Sequence, residues 1–573
     1  MTITIRTRSV SDEGLLLHAE DAAAQACLAV LRLEEALAHR GLPRPRLLGL
    51  EVRATDASTI ADVVGIVRER LGGAGVPLQV STVARLDPPG ALVGVWAEVD
   101  ASAVAAPVTD PIHNTEGHLM SIPLTASGAA ALAGLPGLLL PGDPGFDEAR
   151  RPWNLAVDLL PAAVGVPRTV DDVAAIVAAA ARHGFRVCPL STGHLALSLH
   201  GVDLGSTVLL RLSELTGVTV DPVARTARVS GGTLWQDVAD AAAPHGLAAL
   251  HGSAGDVAVA GYLLGGGLSF YGRAHGLATS TVRAVDVVTA DGDLVRATAD
   301  ENADLFWALR GGGGGFGVIV AVEIDLLPIA DVYAGMLLWD LSHGPEVLRT
   351  WVEWSATAPE SATTSLRFMR FPPIPELPPF LSGRSLVVID GTILDDDERA
   401  AEILAPLRAL GPEIDTFARI PTAGVLGIHM DPPTPTPGVS DHLLLADLPE
   451  AAIQALLEVA GPGVDTSLMI VELRQLGGAL ARPIAAALPL LRGRFALFTL
   501  AAVPVPAMFE LGMKTTEDAA AALRPWSSGV AYPNFTERRE EASAFFDATT
   551  RERLARLRAQ YDPSGLWLAA HDN

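Results

Sequence analysis

Three stretches of small residues constrain this chain more than any other feature. The first, residues 189–197, reads PLSTGHLAL and follows the helix-like DDVAAIVAAAARHGF and the strand-like RVC. The second, HGSAGDVAVAGYLLGGGLSFYGRAHGLA, spans residues 251–278, and the third, DLFWALRGGGGGFGVIV, spans residues 304–320. Glycine admits positive φ and lets a ligand approach the backbone, at a cost in ordering entropy. One such run reads as a flexible turn. Three of them, each bordered by apolar strand-like text, predict room kept for a large planar cofactor with a pyrophosphate. The first loop can turn backbone N–H groups of Ser191, Thr192, Gly193 and His194 toward an anion. None of the three is a Walker loop, and none opens a helix with G-x-G-x-x-G after a first strand. The pyrophosphate must be held in another way.

At 573 residues the chain is long enough for several domains. Hydrophobic residues make up 49% and charged ones 19%, so large cores can form and disorder is not expected. The formal charge of −25 argues against nucleic acid, whose affinity comes from Lys and Arg on phosphates, and against an anionic membrane surface. With only Cys27 and Cys188, no disulfide framework or cysteine metal site is expected, and no metal is assigned. The opening MTITIRTRSVSDEG lacks the apolar core of a signal peptide. AAALAGLPGLLLPG is broken by proline and too short to span a bilayer, so a cytoplasmic protein is expected.

Along the chain, residues 1–101 read as a β-α-β-α-β-β unit. Its helices are expected in DAAAQACLAVLRLEEALAHRGL and DASTIADVVGIVRERLGGAG, its later strands in RLLGLEVRA, LQVSTVARL and ALVGVWAEV. Residues 102–137 are loop-like. Helix and strand patterns then alternate over 138–335. A region over 336–525 holds the proline-dense FPPIPELPPF and MDPPTPTPG, and the amphipathic helix TTRERLARLRAQYDPSG closes the chain.

Six segments, PGDPGFDEARRPWN, VGVPRTVDDVAAIVAAAARHGFRVCPLSTGH, AGYLLGGGLSFYGRAHGLA, VVTADGDLV, ENADLFWALRGGGGGFGV and AYPNF, resemble in order the berberine-bridge-enzyme-like FAD-linked oxidases. The resemblance runs from about residue 138 to the end and implies an α+β multidomain fold. It places a PCMH-type FAD-binding domain at 138–335, an antiparallel-sheet substrate domain at 336–525 and a C-terminal return to the FAD domain at 526–573. It assigns flavin contacts to Ser191, Thr192, Gly193, His194, Leu195, Gly252, Ser253, Val257, Gly261, Gly266, Ile319 and Asn534. His194 matches the histidine bonded to the flavin 8α-methyl, so covalent FAD is expected. The sequence departs from the family at Thr192 (usually glycine), Leu195 (usually serine) and Gly315 (usually asparagine). Ala254 stands where some members attach the flavin a second time through cysteine, so a double linkage is not expected.

Oxidising an alcohol or C–H bond needs a base while hydride moves to the flavin. The resemblance puts Tyr532 first as base, with Asn534 on the same face of a YPNF strand. Glu472 and Arg474 share a face of VELRQLGGAL and can pair or bind a polar substrate, or simply form a solvated strand edge. His251 and His571 read as packing or surface residues. The first hundred residues resemble the RidA/YjgF enamine/imine deaminases. Val80 replaces the carboxylate-gripping arginine before Ser81 and Thr82, and Gly94 replaces a glutamate, so a scaffold that forms homo-oligomers is expected instead. The function expected is that of an FAD-dependent oxidase of a small organic molecule, with oxygen as acceptor and the style of bacterial secondary metabolism. A flavin-holding cyclase or isomerase, and a non-catalytic scaffold, are the alternatives.

Overall fold

The computed structural model describes residues 132–373, 378 and 380–572, and before them the backbone of four strands. The chain divides into two compact units, Met1–Met120 and Ser121–Asn573. In the first, β1 (Thr2–Arg8), β2 (Leu47–Ala54), β3 (Leu78–Thr82) and β4 (Val93–Asp100) form one sheet in the order β1-β4-β2-β3. The β2–β3 pair is parallel, and β4 runs antiparallel to both β1 and β2. Val80, Ser81 and Thr82 lie on β3 and Gly94 on β4. The two helices expected in this unit lie outside the described residues.

The second unit begins with a small sheet of β5 (Leu138–Leu139), β6 (Ala163–Gly165), β7 (Arg186–Pro189) and β8 (Thr207–Leu210), in the order β5-β6-β8-β7. The strands β6, β8 and β7 are parallel, which requires a crossover between β6 and β7. Helix α1, Val170–Arg182, supplies it. Thr169 and Asp172 close its N-terminus as a capping box, and Val173, Ile176, Val177 and Ala180 bury one stripe. Next comes an antiparallel sheet of β9 (Val218–Asp221), β10 (Thr226–Ser230), β11 (Val282–Val288), β12 (Leu294–Thr298) and β13 (Val318–Asp325), ordered β12-β11-β13-β10-β9.

A large antiparallel sheet follows. It contains β14 (Asp331–Asp340), β15 (Ala362–Arg370), β16 (Ser385–Ile393), β17 (Ile414–Asp415), β18 (Ala418–Pro421), β19 (Gly438–Leu445), β20 (Leu468–Gln475) and β21 (Phe495–Ala502). Its path is β17-β14-β16-β15-β20-β21-β19, with β18 beside β14. Strand alternation decides what each face holds. Leu366, Phe368, Ile389, Val471 and Leu473 pack on one face against Trp351, Leu404, Ile453 and Leu523 of four covering helices. The intervening Ser365, Arg367, Asp390 and Glu472 are buried on the other face. Register brings them together, because Arg367 lies opposite Glu472, and Ser365 opposite both Arg474 and Asp390.

Helix α2, Ala548–Tyr561, occupies the expected C-terminal segment. It stops at Asp562, whose carboxylate accepts from the N–H groups of Leu566 and Trp567. The chain then runs alongside β7, where Val187 donates to the Leu566 carbonyl and Leu568 donates to that of Val187. Among the described residues no helix is long and apolar enough to cross a membrane, and no His/Cys/Asp/Glu group could hold a metal ion.

Candidate active site

One cavity of about 460 Å³ opens where these sheets meet. Its wall takes in 14 of the 15 residues expected at the site, from Ser191–Leu195 and the second loop to Ile319, Glu472, Arg474, Tyr532 and Asn534. Gly266 is the exception. It lies behind the wall, and a Cβ there would meet Leu488 at 2.7 Å.

The first loop begins where Pro189 ends β7. Gly193 has φ +84°, a left-handed conformation, and its Cα faces Pro152 so closely that a Cβ would sit 2.7 Å from the proline Cβ and 2.9 Å from its Cα. The loop's carbonyls are tied down: Trp153 N–H donates to Thr192 O (2.9 Å) and Asn154 N–H to Gly193 O (3.4 Å). Its donors are not. Among the described residues no hydrogen bond uses the backbone N–H of Ser191, Thr192, Gly193, His194 or Leu195. A row of unpaired N–H groups around a left-handed glycine is an anion cradle. The donor set therefore fits the pyrophosphate of FAD.

His194 is fixed from three sides. Its ring stacks on Trp153 with centroids 4.5 Å apart. Nδ1 is 2.7 Å from the Thr192 hydroxyl, and Nε2 is 3.6 Å from Asp256 Oδ1. Trp153 Nε1 donates to the other Asp256 oxygen at 2.5 Å. Burial pushes the Asp256 carboxyl up, but the His194 ring beside it and the hydrogen bond from Trp153 outweigh that, and the group sits below its usual range. Trp153 and Asp256 were not legible as site residues: they lie within PGDPGFDEARRPWN and the second loop, but both are distant from His194 in the sequence and nothing in either stretch signals a contact with it.

On the opposite wall, Glu472 and Arg474 pair, with Arg474 Nε donating to Glu472 Oε1 at 2.7 Å. The expectation of a solvated strand edge fails. Strand β20 is interior, between β15 and β21, and Glu472 is 3% exposed. Arg474 also reaches the Ser253 hydroxyl (3.1 Å), and its guanidinium lies over the Phe535 ring at 5.1 Å. Behind the pair stands His429, which sequence reasoning missed. Its Nδ1 is 2.9 Å from Asp390 Oδ2, and its Nε2 is 3.3 Å from Glu472 Oε1 and 3.2 Å from Arg474. Asp390 also accepts from Ser365 Oγ (2.7 Å) and pairs with Arg367. The carboxylate is fully buried, yet the Arg367 guanidinium and the hydrogen bonds to His429 and Ser365 hold it well below the ordinary range. A carboxylate inside the apolar run SLVVIDGTI was the one available signal.

YPNF is not a strand. Pro533 has no N–H to give a ladder, and Pro533–Phe535 forms a 3₁₀ turn instead. The turn still brings the two side chains together, with Asn534 Nδ2 donating to Tyr532 Oη at 3.2 Å and to the Tyr262 carbonyl at 2.8 Å. Asn534 packs on Gly265, where a Cβ would fall 1.8 Å from Asn534 Oδ1. Tyr532 is fully buried, and burial holds its phenol well above the usual range. Its backbone N–H donates to Nε2 of His442, which burial keeps neutral by pushing its pKa down to about 4. Glu537 also lines the cavity. Burial, offset only in part by hydrogen bonding to Asn154, pushes its carboxyl up to about 7. His571 proves to be a cavity residue, packed on Phe545 at 4.7 Å, because the chain end returns beside β7. His251 is buried beside Tyr271.

Residues 161–298 match the FAD binding domain family. Xylooligosaccharide oxidase of Thermothelomyces thermophilus is 38% identical over 206 residues, covering 35% of this chain and 41% of that protein. (R)-6-hydroxynicotine oxidase of Paenarthrobacter nicotinovorans is 32% identical over 203 residues, covering 35% and 44%. The chain thus spans less than half the length of these two relatives. Among solved structures, wild-type BBE-like 1 of Physcomitrella patens superposes with a TM-score of 0.66 at 21% identity, covering 78% of this chain and 98% of that one. A glucooligosaccharide oxidase from Acremonium strictum, described as carrying 6-S-cysteinyl, 8α-N1-histidyl FAD, gives 0.64 at 22% identity, covering 77% and 97%. The second unit has the fold of these two solved structures.

Proposed function

We propose that this chain is an FAD-dependent oxidase of a small organic molecule, with molecular oxygen as electron acceptor. The observation that carries the reading is the row of unclaimed amides from Ser191 to Leu195, set in one cavity with the buried Glu472–Arg474 pair. The FAD binding domain match supports the cofactor. The relatives named as oligosaccharide and nicotine oxidases support the reaction class, with an oligosaccharide or a cyclic amine as the substrate classes to try.

Bound there, FAD supplies the hydride acceptor and the route of electrons to oxygen. The residues of the chain do the rest. The cavity's two arginines are both engaged with carboxylates, which leaves the diphosphate charge to main-chain N–H groups. Glu472 takes the substrate proton. Its Oε1 is occupied by Arg474 and His429, while Oε2 receives no hydrogen bond from any described residue. His429, between Glu472 and Asp390, gives that proton a second acceptor. Tyr532, with its raised phenol and its Asn534 contact, serves as a positioning donor rather than the base. In the same reading the flavin is joined to His194, and only there, since Ala254 offers no thiol. The first unit is a RidA-like scaffold for homo-oligomers, a reading supported by its parallel β2–β3 pair flanked by antiparallel β4.

The test is direct. The purified full chain is expected to be yellow, to bleach under anaerobic substrate and to release hydrogen peroxide in air, with xylo-, cello- and chito-oligosaccharides and cyclic amines as the panel. A folded, colourless protein that takes up no FAD refutes the reading. Turnover without bleaching would favour the cyclase alternative.

A further inference from the structure

The cluster around His194 carries more than a place of attachment. An imidazole that is to form a bond at one nitrogen needs its proton on the other, and a group to receive that proton when the bond forms. An ionised carboxylate can only accept, so Asp256, 3.6 Å from Nε2, favours the tautomer with the proton on Nε2. That leaves the lone pair on Nδ1, where the Thr192 hydroxyl, 2.7 Å away, donates to it. Asp256 is itself aimed by the Trp153 indole N–H at 2.5 Å, and the same indole stacks on the imidazole. Trp153 is locked to the loop by its backbone bond to Thr192 O. The loop, the ring and the carboxylate therefore form one rigid group spanning three separate segments.

Resting on the FAD reading above, we propose that Asp256 is the positioning and proton-accepting residue for covalent attachment of the flavin, with His194 Nδ1 as the attacking atom. In that step a C–H bond of the flavin 8α-methyl breaks, and a bond forms between that carbon and Nδ1. The Nε2 proton passes to Asp256. The two electrons and two protons released overall reduce one molecule of oxygen to hydrogen peroxide, so that His–H plus CH₃–flavin plus O₂ gives His–CH₂–flavin plus H₂O₂. Thr192 acts in the opposite sense, since its hydroxyl occupies the lone pair that must be freed.

The experiment follows covalent incorporation of FAD into flavin-free full-length chain, prepared from riboflavin-starved cells. Flavin retained by the acid-denatured polypeptide is measured against time, and non-covalent FAD affinity is measured separately by fluorescence quenching. Asp256→Asn is expected to slow incorporation by about tenfold, the equivalent of one pKa unit of imidazole basicity, with the affinity unchanged. Asp256→Glu restores most of the rate, and Thr192→Val incorporates at least as fast as wild type. If Asp256→Asn does not fold, Asp256→Glu and Thr192→Val decide: a Thr192→Val slower than wild type overturns the proposal. So does an Asp256→Asn that incorporates at the wild-type rate. Wild type that binds FAD but releases all of it on denaturation overturns the proposal and leaves the oxidase reading standing. Wild type that binds no FAD at all overturns both.

Discussion

Gly193→Ala tests whether the first loop is built as described. Two costs apply. A Cβ at φ +84° carries the left-handed penalty of about 1–2 kcal/mol. The same Cβ would sit 2.7 Å from Pro152 Cβ and 2.9 Å from its Cα, and a proline backbone cannot rotate aside. Overpacking of that kind adds about 1–3 kcal/mol, for a total of about 2–5 kcal/mol. Gly201→Ala is the matched control. It also has positive φ, +75°, but no neighbour lies within 4 Å of its Cβ, so it carries the first cost alone.

The strain in Gly193→Ala can relax only by parting the loop from Pro152–Trp153. That movement breaks the Trp153–Thr192 backbone bond and the stack on His194. Unfolding of a chain this size need not be two-state or reversible, so apparent melting temperatures are compared at one scan rate, beside FAD titration by fluorescence quenching. Gly193→Ala is expected to melt several degrees lower than Gly201→Ala and to lose FAD affinity, while Gly201→Ala binds FAD as wild type does. Equal melting and equal FAD affinity in the two variants would refute the geometry of the loop.

Three further outcomes follow from the opposite wall and the cavity rim. Asp390→Ala leaves Arg367 buried without its carboxylate and is expected to destabilise by about 3–5 kcal/mol, read as a large drop in apparent melting temperature; a shift under one degree would contradict the buried pair. Glu472→Gln is expected to keep its flavin and lose about 10²–10⁴ in turnover of whichever panel substrate is oxidised, with Tyr532→Phe losing far less; the reverse order would return the base to Tyr532. Glu537 has a pKa raised from 4.5 to about 7, so the folded state binds the proton more tightly than the unfolded one. Its contribution is full below pH 4.5 and lost as pH rises through 7, about 3 kcal/mol at most. Glu537→Gln should therefore flatten the decline of melting temperature over that interval, and an unchanged decline would place its cause elsewhere.

What could be read from the sequence was whatever a single element holds together. Glu472 and Arg474 meet because alternate residues of a strand share a face. The Ser191–Leu195 loop showed itself through residue types that serve little purpose in a core. YPNF failed for a local reason, since one proline turns a strand-like tetrapeptide into a 3₁₀ turn, although Tyr532 and Asn534 still meet. His429, Asp390, Arg367, Trp153 and Asp256 were invisible for a different reason. Each is a lone polar residue whose partner arrives by sheet register or loop packing, as when β15 sets Arg367 opposite Glu472. The groups that orient the candidate nucleophile and the candidate base are thus supplied across elements, while each nucleophile or base sits on an element of its own. Since either wall can change its supporting residues without altering the motif, substitutions at positions such as Asp256 and His429 are expected to alter rates of flavin attachment and of turnover while leaving FAD affinity as in wild type.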